Sequence, residues 1–185
     1  MQPTIYRLKV TLRGSRPPIW RRIEVPANVT LLQLHEILQF AMGWTDSHLH
    51  LFRRGSTQYG RPDPEFEMQC EDERQVRVND VLKKPKDRMV YEYDFGDGWE
   101  HDVVLESPKS SVSVGPKVRV VAGKGACPPE DVGGIGGYYA FVKAVKDPKH
   151  SEHQDMIEWC GEAFDPDAFD LDEVNNYFRR RTRRR

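Results

Sequence analysis

Residues Val90 to Asp102 constrain the fold of this chain more than any other stretch. Tyr91, Tyr93 and Phe95 alternate with Glu92 and Asp94, the period-two pattern of a strand with one aromatic and one acidic face. Gly96-Asp97-Gly98 is expected to supply the positive backbone dihedrals of a tight hairpin, and Trp99 to Leu105 resumes as a second strand. A hairpin this short has no structural need for acid, indole and imidazole crowded at its tip. Asp94, Asp97, Trp99, Glu100, His101 and Asp102 therefore mark a candidate site.

The flanking elements set the fold class. Ile5 to Leu12 and Ile19 to Val25 alternate like half-buried strands, and Gly14-Ser15-Arg16-Pro17-Pro18 between them predicts a hairpin. Thr30 is a good N-cap for a helix over Leu31 to Met42, with Gly43 where a C-cap belongs. A strand is predicted over His48 to Arg53 and a polar loop over Arg54 to Pro64, while the acidic stretch Glu65 to Arg74 has no assignable pattern. Val78 to Leu82 reads as one helical turn, Ser107 to Pro116 as a loop, Lys117 to Val121 as a strand and Gly123 to Gly137 as a long Gly/Pro loop. Three helical segments follow: Tyr138 to Val145, Ser151 to Trp159 and Asp167 to Arg179. The order predicts an α+β fold, a mostly antiparallel sheet with a crossing helix and a C-terminal helical part; its opening elements also match the β-grasp order. We expect one domain over residues 1–178 and a disordered arginine-rich tail over Arg179 to Arg185.

A chain of 185 residues with 31% charged side chains is a polar globule large enough for a real core. No apolar run reaches membrane-spanning length and the N-terminus lacks a signal pattern, so a cytoplasmic protein is expected. Cys70, Cys127 and Cys160 are odd in number and lack CxxC spacing, which points away from a disulfide framework or a zinc knuckle. The formal charge of -1 conceals an asymmetry: without the six arginines of the tail, the 28 basic residues fall to 22 against 29 acids. The tail can contact nucleic acid through counterion release, or remain solvated; the acidic body is a poor surface for phosphate.

Several constellations carry potential chemistry. His48 and His50 flank Leu49 on a predicted strand, so period two puts both imidazoles on one face and makes them candidate ligands of a divalent metal. The plainer alternative is a polar strand face. His150 and His153 share a helix face, again with solvent exposure as the alternative. His101, Asp94, Asp97, Glu130 and Asp131 complete a possible His/carboxylate set. Gly123 to Gly137 matches no dinucleotide or P-loop fingerprint, and its expected role is to place Glu130 and Asp131 beside the hairpin. Cys127 before Pro128-Pro129 reads as a small packed residue rather than a nucleophile. Trp20, Trp44, Trp99 and Trp159 read as core or rim, and the aspartates of Phe164 to Asp170 lack the glycine and terminal glutamate of a calcium loop. Asp94, Asp97, Trp99, His101, Glu130 and Asp131 should line one concave surface, with Arg21 or Arg22 as the plain partner of the acids and a metal held with His48 and His50 as the functional one.

Taken in order, Pro17-Pro18-Ile19-Trp20-Arg21-Arg22, Leu34-His35, Gly43-Trp44, His48-Leu49-His50, Tyr93 to His101, Cys127 to Gly134 and Phe164-Asp165-Pro166 resemble the plasmid pRiA4b ORF-3-like family. The resemblance runs from Ile5 to Phe178 and leaves the arginine tail outside. It implies a compact α+β domain from a prokaryotic family found partly on mobile elements, whose members include resolvase-like passenger proteins of insertion sequences. Neither a serine- nor a tyrosine-recombinase constellation is evident in the residues. Three functions follow in order: an accessory or interaction domain holding a protein or small-molecule ligand at the hairpin; a metal-dependent hydrolytic enzyme using His48, His50, His101 and the nearby acids; and a DNA-associated protein using Arg179 to Arg185.

Overall fold

The computed structural model describes residues 4–62, 69–109, 118–161 and 164–182. Its first strands, β1 (Ile5–Leu12) and β2 (Trp20–Pro26), form the expected antiparallel hairpin, with Ile5 opposite Pro26 and Thr11 opposite Trp20. Alternation decides the inward face: Tyr6, Leu8, Val10 and Leu12 are buried and the residues between them are not. The side chains of Thr30 and Gln33 each accept from the other's backbone amide, a capping box that starts α1 (Leu31–Met42). Gly43, at φ 117°, ends it. Leu31, Leu34, Leu38 and Ala41 bury their side chains in the same core as β1 and β2.

The third strand, β3 (His50–Arg54), turns at Gly55 into β4 (Thr57–Gly60). This second strand lies where a loop was expected; it is short and carries one apolar residue, Tyr59, so its alternation is invisible in sequence. The next strand, β5 (Glu71–Asp72), pairs with Tyr59 and Gly60 in parallel, and the rest of the unassigned acidic stretch falls partly on residues 63–68, outside the described ones. After the short α2 (Val78–Val81), β6 (Arg88–Tyr93) and β7 (Trp99–Lys109) form the predicted hairpin, with Tyr93 opposite Trp99. Pairing carries β7 on to Lys109, beyond the point where a loop was expected, because β1 continues opposite it. The last strand, β8 (Arg119–Lys124), completes one sheet in the order β5-β4-β3-β6-β7-β1-β2-β8, antiparallel except for the β4–β5 pair.

Three helices close the chain: α3 (Gly134–Lys146), α4 (His153–Cys160) and α5 (Leu171–Thr182). The last of them extends through Thr182 and so takes in the first arginines of the run; residues 183–185 lie outside the described ones. Its Asn175 lies beside β8 like a strand residue, accepting from the Val120 amide at 3.0 Å and donating to the Val120 carbonyl at 2.8 Å.

Arg21 and Arg22 do not neutralise the hairpin acids. Arg21 is buried and donates to the carbonyls of Ala41 (2.7 Å), Trp20 and Lys124, closing the negative end of the α1 dipole. Phe169 lies 4.1 Å from its guanidinium carbon, and burial lowers its pKa to about 10. Arg22 forms a bidentate pair with Glu106 at 2.7 and 2.8 Å.

Candidate functional site

Trp44, the first residue after the Gly43 cap, donates its indole N–H to Pro128 O at 3.1 Å and so ties the Pro-Pro loop to the end of α1. The hairpin tip is then fixed to the same loop from the other side. Asp97 Oδ2 accepts from the Gly133 amide at 3.1 Å, at the N-terminus of α3. Gly134, at φ 66°, has no room for a side chain, because a Cβ there would strike Asp97 O. The glycines preceding α3 therefore do admit an anion to a helix N-terminus, and the anion is the protein's own Asp97. They also let α3 begin at Gly134, four residues before the predicted start at Tyr138.

Between these anchors the chain collects three carboxylates around one nitrogen. His48 Nε2 lies 3.1 Å from Asp131 Oδ1, 3.7 Å from Asp94 Oδ2 and 3.9 Å from Glu130 Oε2. That nitrogen is shielded from solvent and has no hydrogen-bond partner, so at 3.1 Å the ring is not aimed at the Asp131 oxygen as a hydrogen bond requires. Two of the carboxylates are divided in their duties. Asp94 Oδ1 accepts from Gly96 N at 2.9 Å, leaving Oδ2 toward His48. Glu130 Oε1 accepts from Thr45 N (2.9 Å), Thr45 Oγ1 and Tyr93 Oη, and Oε2, 3.3 Å from the same Tyr93 hydroxyl, turns toward His48. Among the described residues, the ion pairs of Asp94, Glu130 and Asp131 are with His48 alone. Asp94 and Asp131 both sit at φ 56°, a left-handed conformation that few non-glycine residues adopt and that clusters at functional sites. At the turn itself the positive dihedrals fall on Asp94 and Gly98, not on Gly96 or Asp97.

Other expected members lie elsewhere. Trp99 and His101 are fully buried beneath the tip rather than lining a concave surface, because β7 turns both inward toward Trp44. His101 approaches Tyr91 O at 3.3 Å, and burial lowers its pKa to about 4. Asp97 serves the helix. Phe95, placed by alternation on the buried aromatic face, lies beyond the last paired residue and is exposed. Burial pushes up the Cys127 thiol, which keeps it protonated. His153 Nδ1 lies 2.9 Å from Ala144 O and the His150 ring accepts from the Glu152 amide, so each histidine of this pair meets the backbone.

His48 and His50 do not share a site. The ladder begins at His50, so His48 lies outside it and period two no longer governs its direction. His50 Nε2 lies 2.7 Å from Glu73 Oε2, and its ring stacks on His35 at 3.4 Å with 4° between the planes. His35 in turn meets Tyr91 Oη and Asp46 Oδ1, each at 2.8 Å. His35, Asp46 and His50 bring three donor atoms close together. Yet imidazoles coordinate in the ring plane, and no ion can lie in two parallel planes 3.4 Å apart. This cluster is a hydrogen-bonded buried network. His35 was missed as a member, although its sequence carries a signal: an imidazole on the apolar stripe of α1, between Leu34 and Leu38.

A family model for plasmid pRiA4b ORF-3-like proteins matches residues 4–173. The chain belongs to this family. It is 41% identical over 178 residues to "Uncharacterized protein y4hQ" of Sinorhizobium fredii (strain NBRC 101917 / NGR234), covering 95% of this chain and 91% of that protein. The crystal structure of "Protein of Unknown Function MM3350" from Methanosarcina mazei Go1 is similar at a TM-score of 0.86 and 34% identity, over 94% of this chain and 99% of that one. The α+β architecture is thus shared with the Methanosarcina mazei protein. Among the described residues, no helix is long and apolar enough to cross a membrane.

Proposed function

We propose that the protein is an accessory or interaction domain that captures a positively charged ligand among His48, Asp94, Glu130 and Asp131. One observation carries this reading: three carboxylates from two separate loops face one imidazole nitrogen, with no lysine or arginine paired to them among the described residues. Like charges held this close are unfavourable in the free protein, an arrangement expected where binding rather than stability is served. Exposed Leu49 and Phe95 each follow a member of the cluster and give the site an apolar rim.

The reading is tested without knowing the ligand. Asp131→Asn removes one charge, keeps the side-chain shape and tolerates the left-handed backbone. Asp94→Asn can retain its acceptor to Gly96 N. Each substitution should raise the melting temperature of the chelator-treated protein at pH 8 by about 2–4 °C, the equivalent of roughly 1 kcal/mol in a chain of this size. Scaffold carboxylates would behave oppositely, and a fall in melting temperature for both variants would overturn the proposal.

A further inference from the structure

The site's occupant can be named more closely. We propose that His48 Nε2, Asp94 Oδ2 and Asp131 Oδ1 are three protein ligands of a divalent first-row transition-metal ion, with Glu130 Oε2 beside them. The inference rests on the reading of the site as a receptor for positive charge. It adds an argument from geometry that an organic cation does not require.

The first part of that argument is the imidazole nitrogen. It is buried and lacks a hydrogen-bond partner, although three oxygens lie within 4 Å of it. An unprotonated imidazole lone pair is a strong donor to a transition metal; because it also accepts hydrogen bonds, as from an ammonium, the spacing of the donors is what favours the metal. The second part is spacing. Ligand bonds of roughly 2.0–2.2 Å place neighbouring donors of a tetrahedral or octahedral ion roughly 3.0–3.5 Å apart. The separations of 3.1 and 3.7 Å from His48 Nε2 to Asp131 and Asp94 lie close to that interval, and all three donor atoms are mutually close.

The third part is how the carboxylates are held. Asp94 and Glu130 each commit one oxygen to backbone amides and present the other toward His48. Hydrogen bonding of the outer oxygen is how ligating carboxylates are oriented before an ion arrives. A donor set of one nitrogen and two oxygens suits manganese, iron, cobalt or zinc, and is a poor match for the all-oxygen cages of calcium. Three protein ligands leave coordination positions open.

The test titrates the full-length protein, stripped with chelator, with Co²⁺ alone and follows its visible absorption, then competes with Zn²⁺ and with Mg²⁺. Saturation at one Co²⁺ per chain, displaced by Zn²⁺ and not by Mg²⁺, is expected. Affinity should fall at least ~tenfold in His48→Ala and in Asp131→Asn, and be unchanged in His150→Gln, a histidine outside the cluster. If His48→Ala does not fold, the exposed Asp131→Asn decides. Absence of saturable binding, or binding undiminished by Asp131→Asn, overturns the metal. Should that same substitution still raise the melting temperature of the stripped protein, the receptor reading survives and its ligand is an organic cation.

Discussion

His35 and His101 are both pushed down from the ordinary imidazole range to about 4, in each case first by burial. For His35 the neighbouring His50 adds to the effect. The sign for stability follows directly. Above about pH 6.5 both rings are neutral in the folded and unfolded chain and proton binding contributes nothing. Between that value and about 4 the unfolded chain takes up protons that the folded one refuses, so stability falls with pH and levels off once both states are protonated. Urea unfolding across pH 8 to 4 should show this loss, on the order of 3 kcal/mol per histidine. His101→Phe keeps a ring in the cavity and should remove about half of it; an unaltered pH profile in that variant would contradict the account. Residue by residue, sequence was a partial guide to the site. Asp94, Glu130 and Asp131 stood out because acids crowd beside a hairpin and a Pro-Pro turn. Trp99 and His101 were misplaced because composition reveals that residues are unusual and not which way a strand faces.

At the scale of elements, boundaries were legible wherever local chemistry fixes them. Alternation set β1 to the residue and β2 to within one residue at each end, Thr30 and Gly43 set α1 to the residue, and β6 ends at Tyr93, short of the Phe95 that alternation included. The start of α3 was hidden because its determinant is tertiary. Four glycines are poor helix formers, and the helix begins among them since Asp97 O of the hairpin tip occupies the space of a side chain at Gly134 and Val132 O that of one at Gly137. This gives a paired prediction. Gly134→Ala would drive a Cβ into Asp97 O from a left-handed backbone and should destabilise by at least about 2 kcal/mol. Gly136→Ala meets nothing within 4 Å and should stabilise by about 0.5–1 kcal/mol through helix propensity. Equal effects of the two substitutions in chemical denaturation would mean that the hairpin–helix contact does not set the position of α3.

Across the whole molecule, the margins of the sheet were the least legible feature, since neither β5 nor the contact of Asn175 with β8 has a local pattern. Asn175→Ala leaves the Val120 amide and carbonyl without these partners and should lower stability by about 1–2 kcal/mol. It should also raise the rate of light-scattering growth on mild heating, while a variant that loses stability without aggregating faster would show that this margin is not a growth point. In the intact chain both ends of the sheet are finished. One strand is two residues long, and at the other end a helix side chain occupies the hydrogen-bonding groups of Val120. Strand addition at Val120 is therefore obstructed: a partner chain offering a strand there must first displace Asn175 of α5. Assembly by strand addition at that end and release of the arginine-bearing helix would then be one event.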